Sequence, residues 1–483
     1  MSGVPSLAVL VALPLLGLLL LGLQVAARSG ARARAVGTVT LGLTAAAALT
    51  ILGVFYARGG STLADGLVPG LAIDRTSVTL PALTSVVGLA VLRLAPRREL
   101  DRAAVGSLLW ITATTQVVFV SAPLELAAAA AASSTIPVGA LMTGAARPSV
   151  LAPNRVLMAY GGAPWLAVLA VGAVAGGGSF GPLFGALPPA VGGDERALFV
   201  GLVIVAAASR SAIFPAHRWF VGLVREGRAA RAILLLAPLP GAYLLLRVAT
   251  LYPEAFVSHL PWLSLLGLVS AAYFGLVALG QGDQRETVVY LVCSQVGLVF
   301  LGLAAVDVLS VDGALLLWLA QGVAGSGLLL CALAVRARRG PVSLDRFHGL
   351  VAVAPRLAAL YFLFGLGVVG LPGTLTFVAE ELIAEGILLE HPWLGAGYVL
   401  VTGIDAVVFM RLFGRVFLGE HDAAERCPDL SRGERAAALA LALVVIAGGI
   451  WPNPLIAAHG TVAGELVRAE RAVAERARQP MDR

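Results

Sequence analysis

About fourteen stretches of roughly twenty apolar residues, parted by short arginine-bearing links, leave this chain few folds to choose from. A run of that length crosses the hydrocarbon of a bilayer as a helix, which satisfies its backbone polar groups internally. The runs lie at about 4–24, 36–56, 77–95, 104–121, 124–144, 156–177, 196–216, 230–250, 262–281, 287–306, 313–335, 355–376, 396–417 and 436–456. With the links between them they take up nearly all of the 483 residues, so no large soluble domain fits beside them. Charged residues are 13% of the chain, against roughly 25% in soluble proteins, and mean hydropathy is +0.90. The fold class is therefore all-α: a polytopic membrane protein.

Every one of the 34 basic residues is arginine, and the net charge is +6. This is a composition bias rather than a nucleic-acid footprint, and no nucleic-acid partner is expected. The arginines set topology instead. Arg28, Arg32 and Arg34 follow span 1, Arg97, Arg98 and Arg102 span 3, and Arg147 and Arg155 span 5. Arg218, Arg225, Arg228 and Arg231 follow span 7, Arg336, Arg338, Arg339 and Arg346 span 11, and Arg426, Arg432 and Arg435 span 13. Links after even-numbered spans carry fewer. By the positive-inside rule the odd-to-even links face the cytoplasm and both termini lie outside, in a cell inner (cytoplasmic) membrane. The first run has no basic residues before it and reads as a span rather than a cleaved leader. The tail 465–483 mixes Glu465, Arg468, Glu470, Arg471, Glu475 and Arg476 and reads as a short solvated or interfacial helix.

Two spans carry an interruption near one end. Span 7 passes through Ser209-Arg210-Ser211-Ala212-Ile213-Phe214-Pro215 and span 12 through Gly370-Leu371-Pro372-Gly373. Proline removes a donor and clashes with the preceding turn. A packing kink is the plainer reading of one such proline. The spacing says more: span 7 is fourth in the block 4–8, and span 12 is fourth in the block 9–13. Consecutive five-span blocks insert with opposite orientation, and broken helices at matching places in inverted repeats point to a transport path. The expected organisation is spans 1–3 over 1–103, a first five-helix repeat over 104–250, a second over 262–417, and a last span with the tail over 418–483.

Ionisable residues inside spans are costly and usually face a partner or water. Glu125, Arg210, Arg285, Glu380, Glu381 and Asp405 stand out. Each has a structural reading beside the functional one. Glu125 opens span 5, where the helix dipole favours a carboxylate. Arg210 suits an ion pair or a snorkelling side chain. Arg285 suits an interfacial anchor, Glu380 or Glu381 an interfacial cap, and Asp405 a pair with Arg411 or Arg415. Cys293, Cys331 and Cys427 are too far apart for a redox or metal motif, and the six histidines do not cluster. No catalytic residue, metal site or cofactor is expected.

Several segments resemble the proton-conducting, antiporter-like membrane subunits of complex I and the related Mrp-type cation/proton antiporters, the M-type subunit above all. Ala72-Ile73-Asp74-Arg75-Thr76-Ser77 keeps the aspartate and serine of the family's G-x-D-G-x-S. Phe214-Pro215-Ala216-His217-Arg218-Trp219 is similar to F-P-x-H-x-W, and Gly241-Ala242-Tyr243 through Arg247 to the end of span 8. Asp283-Gln284-Arg285-Glu286 through Tyr290 is similar to D-x-K-R-x-x-A-Y, with Ser294-Gln295-Val296-Gly297 after it. Gly370-Leu371-Pro372-Gly373 through Phe377 and Glu380 is the most specific match, to G-L-P-G-x-x-x-F-x-x-E.

The resemblance implies a proton-handling pair of Glu125 with Arg210, the latter where the family has lysine, and a further carboxylate at Glu380. It places Leu239 and Gln321 where the family has a lysine and a histidine. Neither can titrate, and arginine keeps its proton. The expected path is Glu125, Arg210, Arg285, Glu380 and Asp405, with breaks at Pro215 and Pro372. The function so implied is proton translocation within a complex I-like NADH:quinone oxidoreductase, as a non-redox subunit. The partners implied are other membrane subunits, protons or small cations, and the bilayer. Two alternatives stay open: the membrane subunit of a cation/proton antiporter or inorganic-carbon uptake complex, and a non-conducting scaffold.

Overall fold

A computed structural model describes residues 6–23, 30–137, 161–175, 193–305, 307–420 and 427–478. Its helices are α1 (Ala8–Leu23), α2 (Gly30–Ala57), α3 (Leu80–Leu94), α4 (Arg102–Val120), α5 (Leu124–Ser133), α6 (Ala163–Ala175), α7 (Gly193–Arg210), α8 (Arg218–Arg225), α9 (Ala229–Leu236) and α10 (Pro240–Leu251). There follow α11 (Pro253–Val257), α12 (Leu260–Gly280), α13 (Gln284–Leu303), α14 (Val308–Arg339), α15 (Pro355–Val368), α16 (Leu375–Glu390), α17 (Pro392–Phe417), α18 (Arg432–Ile450) and α19 (Asn453–Arg478). A helix falls within each of the fourteen apolar runs. The later part of run 124–144, the start and end of run 156–177, and Arg28, Arg147, Arg155 and Arg426 lie outside the described residues. The chain is a multi-pass, all-α membrane protein. Two-residue strands β1 (Leu63–Ala64) and β2 (Ala72–Ile73) pair antiparallel in the link between α2 and α3.

Core helices and rim helices differ as a bilayer requires. The apolar window of α14 is 100% buried and that of α13 94%, whereas α18 has 22% buried and turns leucines outward. Small residues set the closest approach, at the α12–α13 contact. A Cβ on Gly267 would fall 2.6 Å from Leu301 N, and one on Gly297 would fall 2.8 Å from Ala271 N. Such contacts let helix backbones meet where no hydrophobic drive separates protein from lipid.

The links sort into two ends. At one, Arg225 forms a two-pronged bridge with Glu286 (2.7 Å for each bond), Arg336 reaches Asp283 (3.4 Å), and Arg338 holds Glu434 (2.8 Å). These join links that follow odd-numbered spans. There Glu99 accepts from Ala230 N (3.3 Å), and burial pushes its carboxyl up. At the other end Asp65 accepts from Ser6 Oγ (2.7 Å) and Leu67 N (2.8 Å). Desolvation opposes ionisation of Asp65, but these bonds outweigh it and hold its carboxyl at about 2. At that same end Ala122 N donates to Gly70 O (2.7 Å), and Asp74 pairs with Arg247. Two motif fragments far apart in sequence are thereby joined.

The last helix is longer than the tail composition suggests. α19 begins at Asn453, packs against α14 and α11, and buries Ala463, Leu466 and Val467. Residues 479–483 of the expected tail lie outside the described residues.

Replacing Gly297 by valine forces α12 and α13 apart. We expect a loss of about 1–3 kcal/mol, the usual range for overpacking, read as a lower thermal midpoint in detergent. Gly42→Val, at a position with open space around it, is expected to leave the midpoint unchanged.

Candidate functional site: polar side chains on three broken helices

Among the described residues the helix formed by a span ends and restarts at three places. α7 stops at Arg210 and α8 starts at Arg218, with Pro215 between. α9 stops at Leu236 and α10 starts at Pro240, across Ala237-Pro238-Leu239. α15 stops at Val368 and α16 starts at Leu375, with Pro372 between. The middle interruption is absent from the sequence-based expectation, although Pro238 and Pro240 inside an apolar run signal it.

Each interruption frees backbone carbonyls, and a buried carbonyl needs a donor. In a continuous helix Leu235 O would accept from Leu239 N. Leu239 has φ of +42°, and its N–H turns to Leu236 O (2.9 Å). Leu235 O instead accepts from Arg210 Nη1 (2.9 Å). Pro238 O accepts from Trp318 Nε1 (3.0 Å), and Ser209 O from Trp219 Nε1 (3.0 Å). In span 12 the helical partner of Val368 O would be residue 372, a proline without N–H. Gln321 Nε2 donates to Val368 O instead (3.0 Å).

Arg210 is 1% exposed. Its Nη2 donates to Ser134 Oγ (3.1 Å), and its guanidinium lies 5.7 Å from the Trp219 ring centre. Among the described residues no carboxylate is within ion-pair distance of it. Glu125 stands in the first turn of α5, nine residues before Ser134, or roughly 13.5 Å along a helix axis. It is half-buried and close enough to Tyr252 to act on it electrostatically. The two residues that the resemblance pairs are therefore at opposite ends of α5.

Beyond the gap lies a second cluster. Gln321 Nε2 also donates to Gln295 Oε1 (3.2 Å), and Gln295 Nε2 donates to Asp405 Oδ2 (3.0 Å). Asp405 is fully buried in α17. Its Oδ1 occupies space left by the missing side chain of Gly275. Glu380, one turn into α16, is near enough to Asp405 for their charges to interact, and Tyr398 is within range of both. Four atoms here, Gln321 Oε1, Glu380 Oε1, Asp405 Oδ1 and Tyr398 Oη, are buried and have no hydrogen-bond partner among the described residues. Such groups mark positions for water.

The G-L-P-G motif acquires a physical reason. Gly370 has φ of +72° and Gly373 +94°, conformations that ordinary residues resist. A Cβ on Gly370 would overlap the Glu380 carboxylate. Pro372 frees Val368 O, and Thr374 caps α16 by accepting from Phe377 N (3.4 Å). The motif thus places a carboxyl group against an opened helix end.

Two residues sit elsewhere. Arg285 Nη1 donates to Val224 O (2.8 Å) and Arg225 O (3.2 Å), capping the carbonyl end of α8 at the arginine-rich end of the bundle. Glu381 is exposed. Asp405 does not pair with either nearby arginine: Arg411 donates to Leu279 O (2.5 Å) and Arg415 lies over the Phe347 ring (4.5 Å).

Between the two clusters is a small cavity of about 20 Å³, lined mainly by Leu236, Leu239, Val292, Val296 and Gln321. That is room for about one water. Leu239 and Gln321, which the resemblance sets against a lysine and a histidine, both line it.

Buried polar groups on discontinuous helices, within a bundle of this kind, suit an antiporter-like membrane subunit. Residues 165–404 match the family described as NADH:quinone oxidoreductase/Mrp antiporter, TM. The chain belongs to this family of membrane subunits. It is 29% identical over 266 residues to NADH-quinone oxidoreductase subunit M of Mycobacterium tuberculosis, covering 54% of this chain and 48% of that one. To subunit M of Rhodobacter capsulatus it is 27% identical over 282 residues, covering 57% and 55%. The chain spans about half the length of the curated relatives it matches. A chain of respiratory complex I from Thermus thermophilus superposes with a TM-score of 0.84 at 23% identity, covering 96% of this chain and 99% of that one. A chain of the Mrp complex from Dietzia sp. gives 0.81 at 20%, covering 97% and 99%. These two likenesses speak for the fold.

Gly370→Ala is expected to strain the positive-φ position by about 1–2 kcal/mol and to displace Glu380. Thermal midpoint and proton movement in vesicles should fall together. Gly282→Ala, with open space around it, should change neither.

Proposed function

We propose that this chain is the M-type, antiporter-like membrane subunit of a complex I-like NADH:quinone oxidoreductase and moves protons through its buried polar residues. The observation that carries this reading is the hydrogen-bonded series Gln321–Gln295–Asp405, with Glu380 beside it at an opened helix end. Neighbouring carboxyl groups in a water-poor place suit proton exchange, because the charge of one depends on that of the other. The amides orient bound water without titrating. Arg210 acts as a fixed positive charge rather than a donor, since a guanidinium holds its proton. Glu125 serves as the carboxyl group at the far end of α5. Arg285 positions the arginine-rich end of α8.

The subunit sits in the cytoplasmic membrane with its arginine-rich end inside and both termini outside, as the positive-inside rule requires. The two five-helix blocks act as inverted halves. Neighbouring membrane subunits and the redox chemistry belong to the assembly. A non-conducting scaffold is favoured by one observation, the leucine- and valine-lined cavity beside Leu239. The two readings separate experimentally.

Glu380→Gln in the assembled complex should abolish coupled proton movement in vesicles while assembly persists; unchanged movement rejects the role. Gln321→His restores a titratable group and should raise the rate if one water at the cavity limits it. Proton movement absent from both the native protein and this variant identifies a scaffold.

A further inference from the structure

At the arginine-rich end lies a pocket of about 870 Å³ that transport does not use. It is framed by the start of α2, the end of α3 with the turn after it, the end of α14 and the start of α18. Arg34, Arg93, Arg97, Arg98 and Arg338 line it, with Glu434 as the one carboxylate among its lining residues. Glu434 is already engaged: both its oxygens accept from Arg338 (2.8 Å each), and it closes a capping box with Ser431. The nearby Glu99 accepts from Ala230 N. Arg34, Arg93, Arg97 and Arg98 thus bring four positive charges to one cavity. No ion pair with a carboxylate is formed by any of the four among the described residues.

Positive-inside bias alone would scatter arginines around the rim. In this pocket they converge from α2, α3 and the turn after α3. The pocket also has an apolar side. Its wall includes Val39 and Leu92, and Val39 (62% exposed) and Leu43 (53% exposed) continue as a greasy strip down the outer face of α2. Cations at the helix ends with an apolar strip running into the bilayer match one chemistry: a phosphate headgroup carrying acyl chains. Guanidinium groups bind phosphate oxygens through charge-assisted, often two-pronged bonds, and basic pockets at helix ends hold anionic lipid headgroups.

We propose that this pocket binds an anionic phospholipid, its phosphate held by Arg93, Arg97 and Arg98 with Arg34 opposite, and one acyl chain along Val39 and Leu43. The lipid offsets part of the charge of the four arginines and ties α2 and α3 to α14 and α18.

The test uses the full-length protein in detergent with fluorescent phosphatidylglycerol as the probe. Each arginine lost should weaken binding about fivefold, so R93Q/R97Q/R98Q should weaken it about a hundredfold. R93K/R97K/R98K keeps the charge and should stay within about tenfold of the native protein. Val39→Trp, which leaves every arginine in place, should also weaken binding; it keeps the proposal testable if the triple variant does not fold. Unchanged affinity in the glutamine variant of normal thermal midpoint overturns the proposal. So does equal binding of phosphatidylcholine, or displacement of the probe by millimolar inorganic phosphate, which would indicate a free-phosphate site. Cross-linking of a Val39→Cys variant in the assembled complex should capture lipid; capture of a neighbouring subunit instead overturns the proposal.

Discussion

A carbonyl inside the membrane must find a donor, and in this protein the donors that matter are side chains. Breaking a helix in hydrocarbon costs several kcal/mol for each backbone group left unpaired. Arg210 meets that requirement at Leu235, Trp318 at Pro238, Trp219 at Ser209 and Gln321 at Val368. These contacts tie the second break to α7 and α14 and the third to α14, and close the first within its own span, so the position of the polar residues and the stability of the breaks are one problem. Losing Gln321 would orphan Val368 O as well as interrupt the series to Asp405.

The two clusters are chemically unequal. The Arg210 cluster holds a charge that cannot be relieved by proton loss, set among a carbonyl, a hydroxyl and an indole ring. The Asp405 cluster holds carboxyl groups, amides and a phenol, with four polar atoms left for water. The connection between them narrows to one water beside Leu239. In the proposed function Arg210 biases water there electrostatically, while Asp405 and Glu380 carry the exchange.

Much of the fold is legible in the sequence, because the bilayer demands long apolar runs with arginines at alternate ends. The runs at 262–281 and 396–417 lie within α12 and α17 almost residue for residue. Pro372, flanked by glycines, reads as an interruption because no helix needs two residues of positive φ. Pro238 gives a weaker signal, since it stands between Ala237 and Leu239 without a glycine and only the fold shows Leu239 held at φ +42°. Partners are harder to read than positions. Asp405 looks like a partner for Arg411, six residues on, because local spacing is all that a sequence displays. Its actual donor, Gln295, is 110 residues away. Gln295 is visible within a motif, and Tyr398 has no signal at all. Glu125 and Arg210 illustrate the reverse: of two residues linked by resemblance, one begins α5 while the other, at the end of α7, reaches Ser134 at the far end of α5.

The proposed proton exchange depends on water joining the break at Leu239 to the Gln321–Gln295–Asp405 series. A cryo-EM map of the assembled complex, at a resolution that shows ordered waters, is the most direct check. Density is expected for one water against Gln321 in the cavity beside Leu239, and for further waters on Asp405 Oδ1, Glu380 Oε1 and Tyr398 Oη. Leucine and valine side chains closed over an empty cavity, with Gln321 turned away from Val368 O and those oxygens dry, would refute it.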